Sequence, residues 1–170
     1  MTKNYTTRTL LIVLEDMGYE IDMLCGMHLL RSKPFRVAVE NIDSGRATEW
    51  ISNALLEAQC IHVRTLLEFF YVGADRIRAS HYVADWNTKH RPDAKTALGE
   101  DAGSLYGDIS GKLSHLNSPR TEKRVWDALP TITEGLLHTI RKFDTLLDAD
   151  GSSALRSKAP DIGWTEVTGN

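Results

Sequence analysis

A short basic segment near the middle of the chain carries an arginine and a histidine with four residues between them, Arg76 and His81. Arginine can stabilise negative charge on a phosphoryl oxygen, and histidine can exchange a proton near neutral pH. Such a pair could cleave RNA without a metal ion, with the 2′-hydroxyl as nucleophile. On a regular helix the two side chains lie roughly 140° apart, and a basic surface turn gives the same spacing. The segment therefore predicts either a catalytic pair or a solvated turn.

A second histidine, His62, falls on the most apolar face of a long hydrophobic segment. A polar ring there needs a hydrogen-bond partner. We expect that partner to be a buried serine or a backbone carbonyl. The alternative is a polar pocket that His62 forms with His115 of the next long helix. With Arg78 and Arg120 nearby, these residues form the candidate ligand-binding set.

Stronger signatures of chemistry are absent from the sequence. There is no glycine-rich phosphate loop, no HExxH, no paired CxxC and no GxSxG. No two of the six histidines stand four residues apart, and Glu134 with His138 is one residue too wide for a di-iron motif. The sequence therefore predicts neither a metal site nor a cofactor.

Composition narrows the class of protein. The 170 residues have a formal net charge of -3, which disfavours a duplex-DNA binder. Cys25 and Cys60 both lie in apolar helical patterns and are expected to be small buried groups in a reducing compartment. The apolar run over residues 10–14 stops at Glu15, too short for a signal peptide or a membrane span. We therefore expect a cytoplasmic protein.

Apolar residues at three- and four-residue intervals predict four long helices. They cover residues 7–31, 44–72, 101–116 and 119–147, and a short helix lies within 75–83. Asp43 or Ser44 can cap the second helix, which is apolar over more than half its circumference and should be wrapped by the others. Residues 35–41 are expected to form an extended connection.

The remaining features complete the predicted fold. Pro130 should kink or divide the last long helix. Residues 151–170 show no periodicity and are predicted to be a flexible tail, with Trp164 as its one docking residue. The fold class is therefore an all-α antiparallel four-helix bundle over residues 1–150, with additional short helices and that tail.

Residues 51–143 resemble a group of small bacterial helical proteins without an assigned function. The shared features are the motif HxRxLxEFF, the short helix DRIRASHY, and the motif KLSHL followed by an arginine and a tryptophan. They correspond here to His62, Arg64, Leu66, Glu68, Phe69, Phe70, Asp75–Tyr82, Lys112–Leu116, Arg120 and Trp126.

The bundle also resembles the HEPN superfamily. Many HEPN proteins are RNases of toxin or defence systems that use an arginine, four to six residues and a histidine, usually across a dimer interface. The resemblance implies Arg76 and His81 as the catalytic pair. His115 sits nearer the expected place of the motif, but residues 108–110 there include no arginine, which implies a degenerate member that only binds.

Two functions follow from these observations. The first is a non-catalytic binding protein whose partner is a second copy, another protein or a small ligand. The alternative is a HEPN-type metal-independent endoribonuclease, for which RNA is the partner. We expect a homodimer, with Leu137 and Trp126 as candidate interface residues because they lie off the main apolar stripe of the last helix. No membrane or duplex-DNA partner is expected.

Overall fold

The chain is all-α, as predicted. The computed structural model describes residues 5–73, 76–114 and 124–159, which are mostly helical and contain no strand. The α-helices in these ranges are α1 (Thr7–Ser32), α2 (Ser44–Leu67), α3 (Ala94–Leu98), α4 (Ala102–Ser114), α5 (Arg124–Asp144) and α6 (Ala149–Arg156). Shorter helical turns are the π-turns Glu68–Val72 and Trp86–His90 and the 3₁₀ turn Ala79–His81. No helix in these ranges is long and apolar enough to cross a bilayer.

Helices α1 and α2 pack against each other and are joined by the predicted extended connection. Both are capped at their first turn. The hydroxyl of Thr6 accepts the N–H of Thr9, and the carboxylate of Asp43 accepts the N–H of Arg46. The Asp43 cap confirms one of the two caps that the sequence offered.

Helix α2 changes character along its length. Between Gln59 and Leu67 its inner side is buried, but in its first half Ala47 alone is buried. Trp50 and Ile61 are 50% and 52% exposed. The prediction that other helices wrap this largely apolar helix is therefore correct for the inner side of its second half, and wrong for its first half and for the face that carries Ile61. The reason is that no described helix covers the Trp50 side.

Helix α2 ends in a π-turn, and the segment that follows packs against this turn. The N–H of Gly73 donates to the carbonyl of Glu68 over 2.7 Å. The widened turn leaves two carbonyls for other partners: that of Phe70 accepts the indole N–H of Trp86, and that of Tyr71 accepts a guanidinium N–H of Arg91. Around this turn five rings meet edge to face or tilted: Phe69, Phe70, Tyr82, Trp86 and Phe143. The basic segment therefore packs on the helices.

Helix α5 carries the apolar stripe that the sequence predicts, and Pro130 lies inside it without dividing it. Helix α3 was not predicted, although Asp93 caps it by accepting the N–H of Thr96. It lies so close to α5 that a Cβ on Gly135 would sit 1.9 Å from the carbonyl oxygen of Ala97. The fully buried residues of α5 are Leu129, Ile132, Thr133, Leu136, Thr139, Ile140 and Phe143.

Helix α6 corrects the predicted tail. Residues 151–156 continue a helix that Asp148 caps, and Leu155 is fully buried. A Cβ on Gly18 of α1 would lie 2.3 Å from the carbonyl oxygen of Leu155, so the two backbones are in close contact. Leu155, this backbone approach and the bonds that Ser152 and Arg156 donate to the buried carboxylate of Asp144 hold the helix without a long apolar stripe. The helical part therefore passes the predicted boundary at residue 150, and Trp164 with residues 160–170 lies outside the described residues.

Candidate functional site

The predicted catalytic segment points its two arginines to different partners. The side chain of Arg76 is 78% exposed, and its Nε forms an ion pair with Glu68 at 3.3 Å. Arg78 turns inward and donates from Nη1 to the carbonyl of Gly73 over 2.6 Å. Arg64, one turn before Glu68 on α2, lies over the ring of Tyr106.

His81 lies at the surface on the 3₁₀ turn. It forms a hydrogen bond with Arg78 and not with Arg76, its predicted catalytic partner. The backbone N–H of Arg78 donates to Nδ1 of His81 over 3.2 Å. In the tautomer that accepts this bond the ring proton is on Nε2. The ring of Tyr5 stands edge-on to the imidazole at 5.4 Å. Two other predicted residues, His115 and Arg120, lie outside the described residues.

His81 also lines a cavity of about 260 Å³ that sequence reasoning missed. Three segments far apart in the chain form it: the start of α1, the 3₁₀ turn and the junction of α5 with α6. The hydroxyl of Tyr82 donates to the carbonyl of Leu10 over 2.8 Å, and burial raises the pKa of Tyr82. The lining is Thr7, Leu10, Leu11, Leu14, His81, Tyr82, Leu147, Asp148 and Gly151.

His62 is buried, as predicted, but its partner is not the predicted serine or backbone carbonyl. Its Nδ1 lies 2.7 Å from a carboxylate oxygen of Glu20 on α1, and the ring of Tyr19 stands edge-on at 6.3 Å. Glu20 is 42 residues away in the chain, so a single-helix wheel could not indicate it. His62 therefore joins α2 to α1, and its contacts are separate from those of His81.

A polar connection inside the protein joins three helices. Gln59 is fully buried, and its amide nitrogen donates to the hydroxyl of Thr133 on α5 over 3.0 Å. Its amide oxygen accepts a bond from Arg31 at the end of α1. The one sequence signal was a glutamine on the apolar side of α2. Because both ends of the amide are satisfied, this connection is structural.

A second cavity, of about 440 Å³, lies between α3 and α5. Near it the hydroxyl of Tyr71 bonds the hydroxyl of Thr139 at 3.0 Å, and Arg91 lies over the tyrosine ring. Burial raises the pKa of Tyr71. The residues lining this cavity are Pro92, Asp93, Thr96, Ala97, Gly135 and His138.

The described residues contain no group of three or more side chains that could hold a metal ion. Burial, followed by the nearby charge of Asp22, raises the pKa of Cys25 to about 11, which keeps it a protonated thiol at neutral pH. The histidines that line a cavity in this region are His81 and His138.

Comparison with protein-family models, with curated proteins and with solved structures found no match. The resemblance to HEPN proteins therefore stays a prediction.

Proposed function

We propose that this protein works by binding a second copy of itself, as a non-catalytic homodimer. One observation carries the proposal: nine of the eleven exposed large hydrophobic side chains among the described residues lie on α1, α2 and their connection. Apolar surface concentrated in this way is typical of interaction sites. The nine are Ile12, Tyr19, Leu29, Leu30, Val39, Ile42, Trp50, Ile51 and Ile61.

The centre of this surface is the outer face of α2. At about 100° per residue, Trp50, Ala54 and Ile61 lie within roughly 40° of one another. Ile51 is 43% exposed, and Ala58 between the larger residues is half-buried. Alanines between larger side chains allow the backbone of another helix to come close. Glu57 is exposed on the same arc, so a helix packed on this face would have to accommodate its carboxylate.

A two-fold axis would place this face against the same face of a second copy. The axis reverses the partner helix, so the Trp50 end of one α2 meets the Ile61 end of the other, and the alanines meet in the middle. Tyr19 of α1, 52% exposed, extends the surface beside His62. This extension matters because a standard interface buries about 800 Å² per partner. The net charge of -3 gives only weak repulsion between copies.

The candidate interface residues Leu137 and Trp126 contribute less to this proposal. Leu137 is half-buried against the core, and the side chain of Trp126 lies outside the described residues. The large exposed side chains on α1 and α2 offer the better surface.

The proposal also includes how the long helices are arranged. We propose that α1, α2, α4 and α5 form an antiparallel four-helix bundle of the HEPN kind, because α2 packs on each of the other three. The thiols of Cys25 and Cys60, which form no disulfide with each other, favour a reducing compartment such as the cytoplasm.

Sedimentation equilibrium of the purified full chain tests the homodimer. Wild type should sediment as a dimer and Ile61→Glu as a monomer, because an unpaired charge buried in an interface costs roughly 3–5 kcal/mol. Leu146→Glu is the matched control, since Leu146 is 38% exposed and lies away from this face. A monomeric wild type, or an Ile61→Glu variant that remains a dimer, would refute the proposal.

A metal-independent endoribonuclease is the second candidate function. The observation in its favour is that His81 is exposed at the mouth of a cavity, with Nε2 free of hydrogen bonds to the described residues. The ion pair of Arg76 with Glu68 weakens it, because a catalytic arginine would have to leave that partner.

Incubation of structured RNA with the protein in EDTA tests the RNase. Cleavage that His81→Ala abolishes and His138→Ala preserves would support this function, since both histidines are exposed. Intact RNA with all three proteins would contradict it.

A further inference from the structure

The cavity beside His81 combines an apolar interior with polar groups at its mouth. Leu10, Leu11 and Leu147 are half-buried, so each contributes apolar surface to the interior. Its volume of about 260 Å³ exceeds the roughly 150 Å³ of an apolar cavity that takes up benzene. One aromatic ring or one branched aliphatic group can therefore fit inside.

Hydrogen bonds hold the walls of this cavity in place. The hydroxyl of Tyr82 is fixed on the carbonyl of Leu10 at 2.8 Å. The carboxylate of Asp148 accepts the N–H of Gly151 over 2.7 Å and so fixes the start of α6. A wall that is already ordered loses little further freedom when a ligand binds.

Two groups of opposite character stand at the mouth. His81 is bonded through Nδ1 to the backbone of Arg78, and in the tautomer that accepts the N–H of Arg78 its Nε2 is a donor. Asp148 uses Oδ1 in its cap, which leaves the second carboxylate oxygen as an acceptor. Both side chains are exposed at this end of the cavity, where the hydroxyl of Thr7 adds a third polar group. A matching ligand needs an anionic acceptor, a cationic donor and an apolar group.

We propose that this cavity binds a free amino acid with an apolar side chain. The side chain enters the leucine-lined interior, the ammonium group faces Asp148, and the carboxylate faces His81. This site does not depend on the proposed homodimer, because the outer face of α2 contributes nothing to its lining.

Isothermal titration with L-phenylalanine, phenylacetate and phenethylamine tests the ligand class. Phenylacetate lacks the ammonium group and phenethylamine lacks the carboxylate. L-phenylalanine should bind most tightly, and each truncated molecule should bind roughly tenfold more weakly or worse, because it loses a hydrogen bond between charged groups. No binding of L-phenylalanine, or equal binding of all three, would overturn the proposal.

Neighbouring leucines give a matched pair of variants that locate the site. Leu147→Trp should abolish binding of L-phenylalanine by filling the cavity, whereas Leu146→Trp should preserve it because Leu146 does not line the cavity. Circular dichroism checks that both variants fold. Binding that survives Leu147→Trp in a folded protein would place the ligand elsewhere.

Two polar variants assign the ends of the ligand. His81→Ala should weaken L-phenylalanine and leave phenethylamine unchanged. Asp148→Asn, which keeps a side-chain oxygen for the cap, should weaken L-phenylalanine and leave phenylacetate unchanged. If either variant leaves L-phenylalanine binding unchanged, the assigned orientation is wrong.

Discussion

The two halves of α2 are built from similar residues and have opposite surroundings. From Gln59 to Leu67, six residues are buried against neighbouring helices, whereas in the first half Ala47 alone is buried. Large apolar side chains occur in both halves: Trp50 is half exposed and Leu66 is fully buried. The inner side of the second half therefore contributes to the core, whereas the first half and the outward-facing Ile61 remain exposed. In the proposed homodimer one helix would serve both stability and binding.

The largest expected effect is in the aromatic cluster that continues the buried half. Phe143 is fully buried, and its ring centroid lies 5.3 Å from those of Phe70 and Trp86. Phe143→Ala should lower the free energy of unfolding by about 3–5 kcal/mol in urea denaturation. Trp50→Ala at the exposed half should change it by less than about 0.5 kcal/mol in dilute protein. Equal losses in the two variants would remove the distinction between the halves.

Two nearly adjacent positions of α2 sharpen the comparison. Val63 is fully buried and Ile61 is 52% exposed. Val63→Ala should cost about 2 kcal/mol of unfolding free energy at any protein concentration. Ile61→Ala should cost little in dilute protein and more in concentrated protein, because a dimer stabilises the fold by mass action. Thermal melts over a concentration series measure both, and an Ile61→Ala loss independent of concentration would argue against a second copy on this face.

His62 lies within the buried half, and its loss should have an intermediate effect. His62→Ala leaves the carboxylate of Glu20 without its 2.7 Å partner and should cost about 1–3 kcal/mol. His138→Ala, an exposed histidine on α5, is the control and should be silent. Thermal unfolding measures both variants. An unchanged midpoint for His62→Ala would mean that the pair adds nothing to stability.

The smallest effect concerns alkaline pH. Burial raises the pKa of Cys25 to about 11 and raises that of Tyr71 as well. In the unfolded chain these groups lose their protons at lower pH, so above the ordinary thiol pKa the folded state binds more protons than the unfolded state. The free energy of unfolding should therefore fall as pH rises from about 9 to about 11. Urea denaturation over that range should show a smaller decline for Cys25→Ser, and an equal decline would exclude the thiol.

Local sequence patterns predicted the features that depend on a single segment of the chain, such as apolar stripes, helix ends and caps. The stripe of α5, the ends of α1 and the Asp43 cap follow from residue type and spacing, and the structure has all three. Burial of His62 followed from its position on an apolar face. What such patterns cannot give is whether an apolar face has a partner within the chain, which is why the first half of α2 was assigned to the interior.

Contacts between distant segments were not predictable in the same way. Helix α6 packs on α1 where the backbone of Leu155 approaches Gly18. A glycine in α1 gives no sequence signal for a helix that begins 131 positions later. The cavity beside His81 likewise forms only where the start of α1, the 3₁₀ turn and the start of α6 come together. Glu20 as the partner of His62 arises only when α1 and α2 are placed side by side.

The π-turn at the end of α2 has a consequence for its own backbone acceptors. The carbonyls of Phe70 and Tyr71 receive the side chains of Trp86 and Arg91 in this wider register. The segment that carries Trp86 and Arg91 therefore satisfies backbone acceptors at the C-terminal end of α2, where a helix has none of its own donors left. Loss of either side chain would leave one of these carbonyls without its partner.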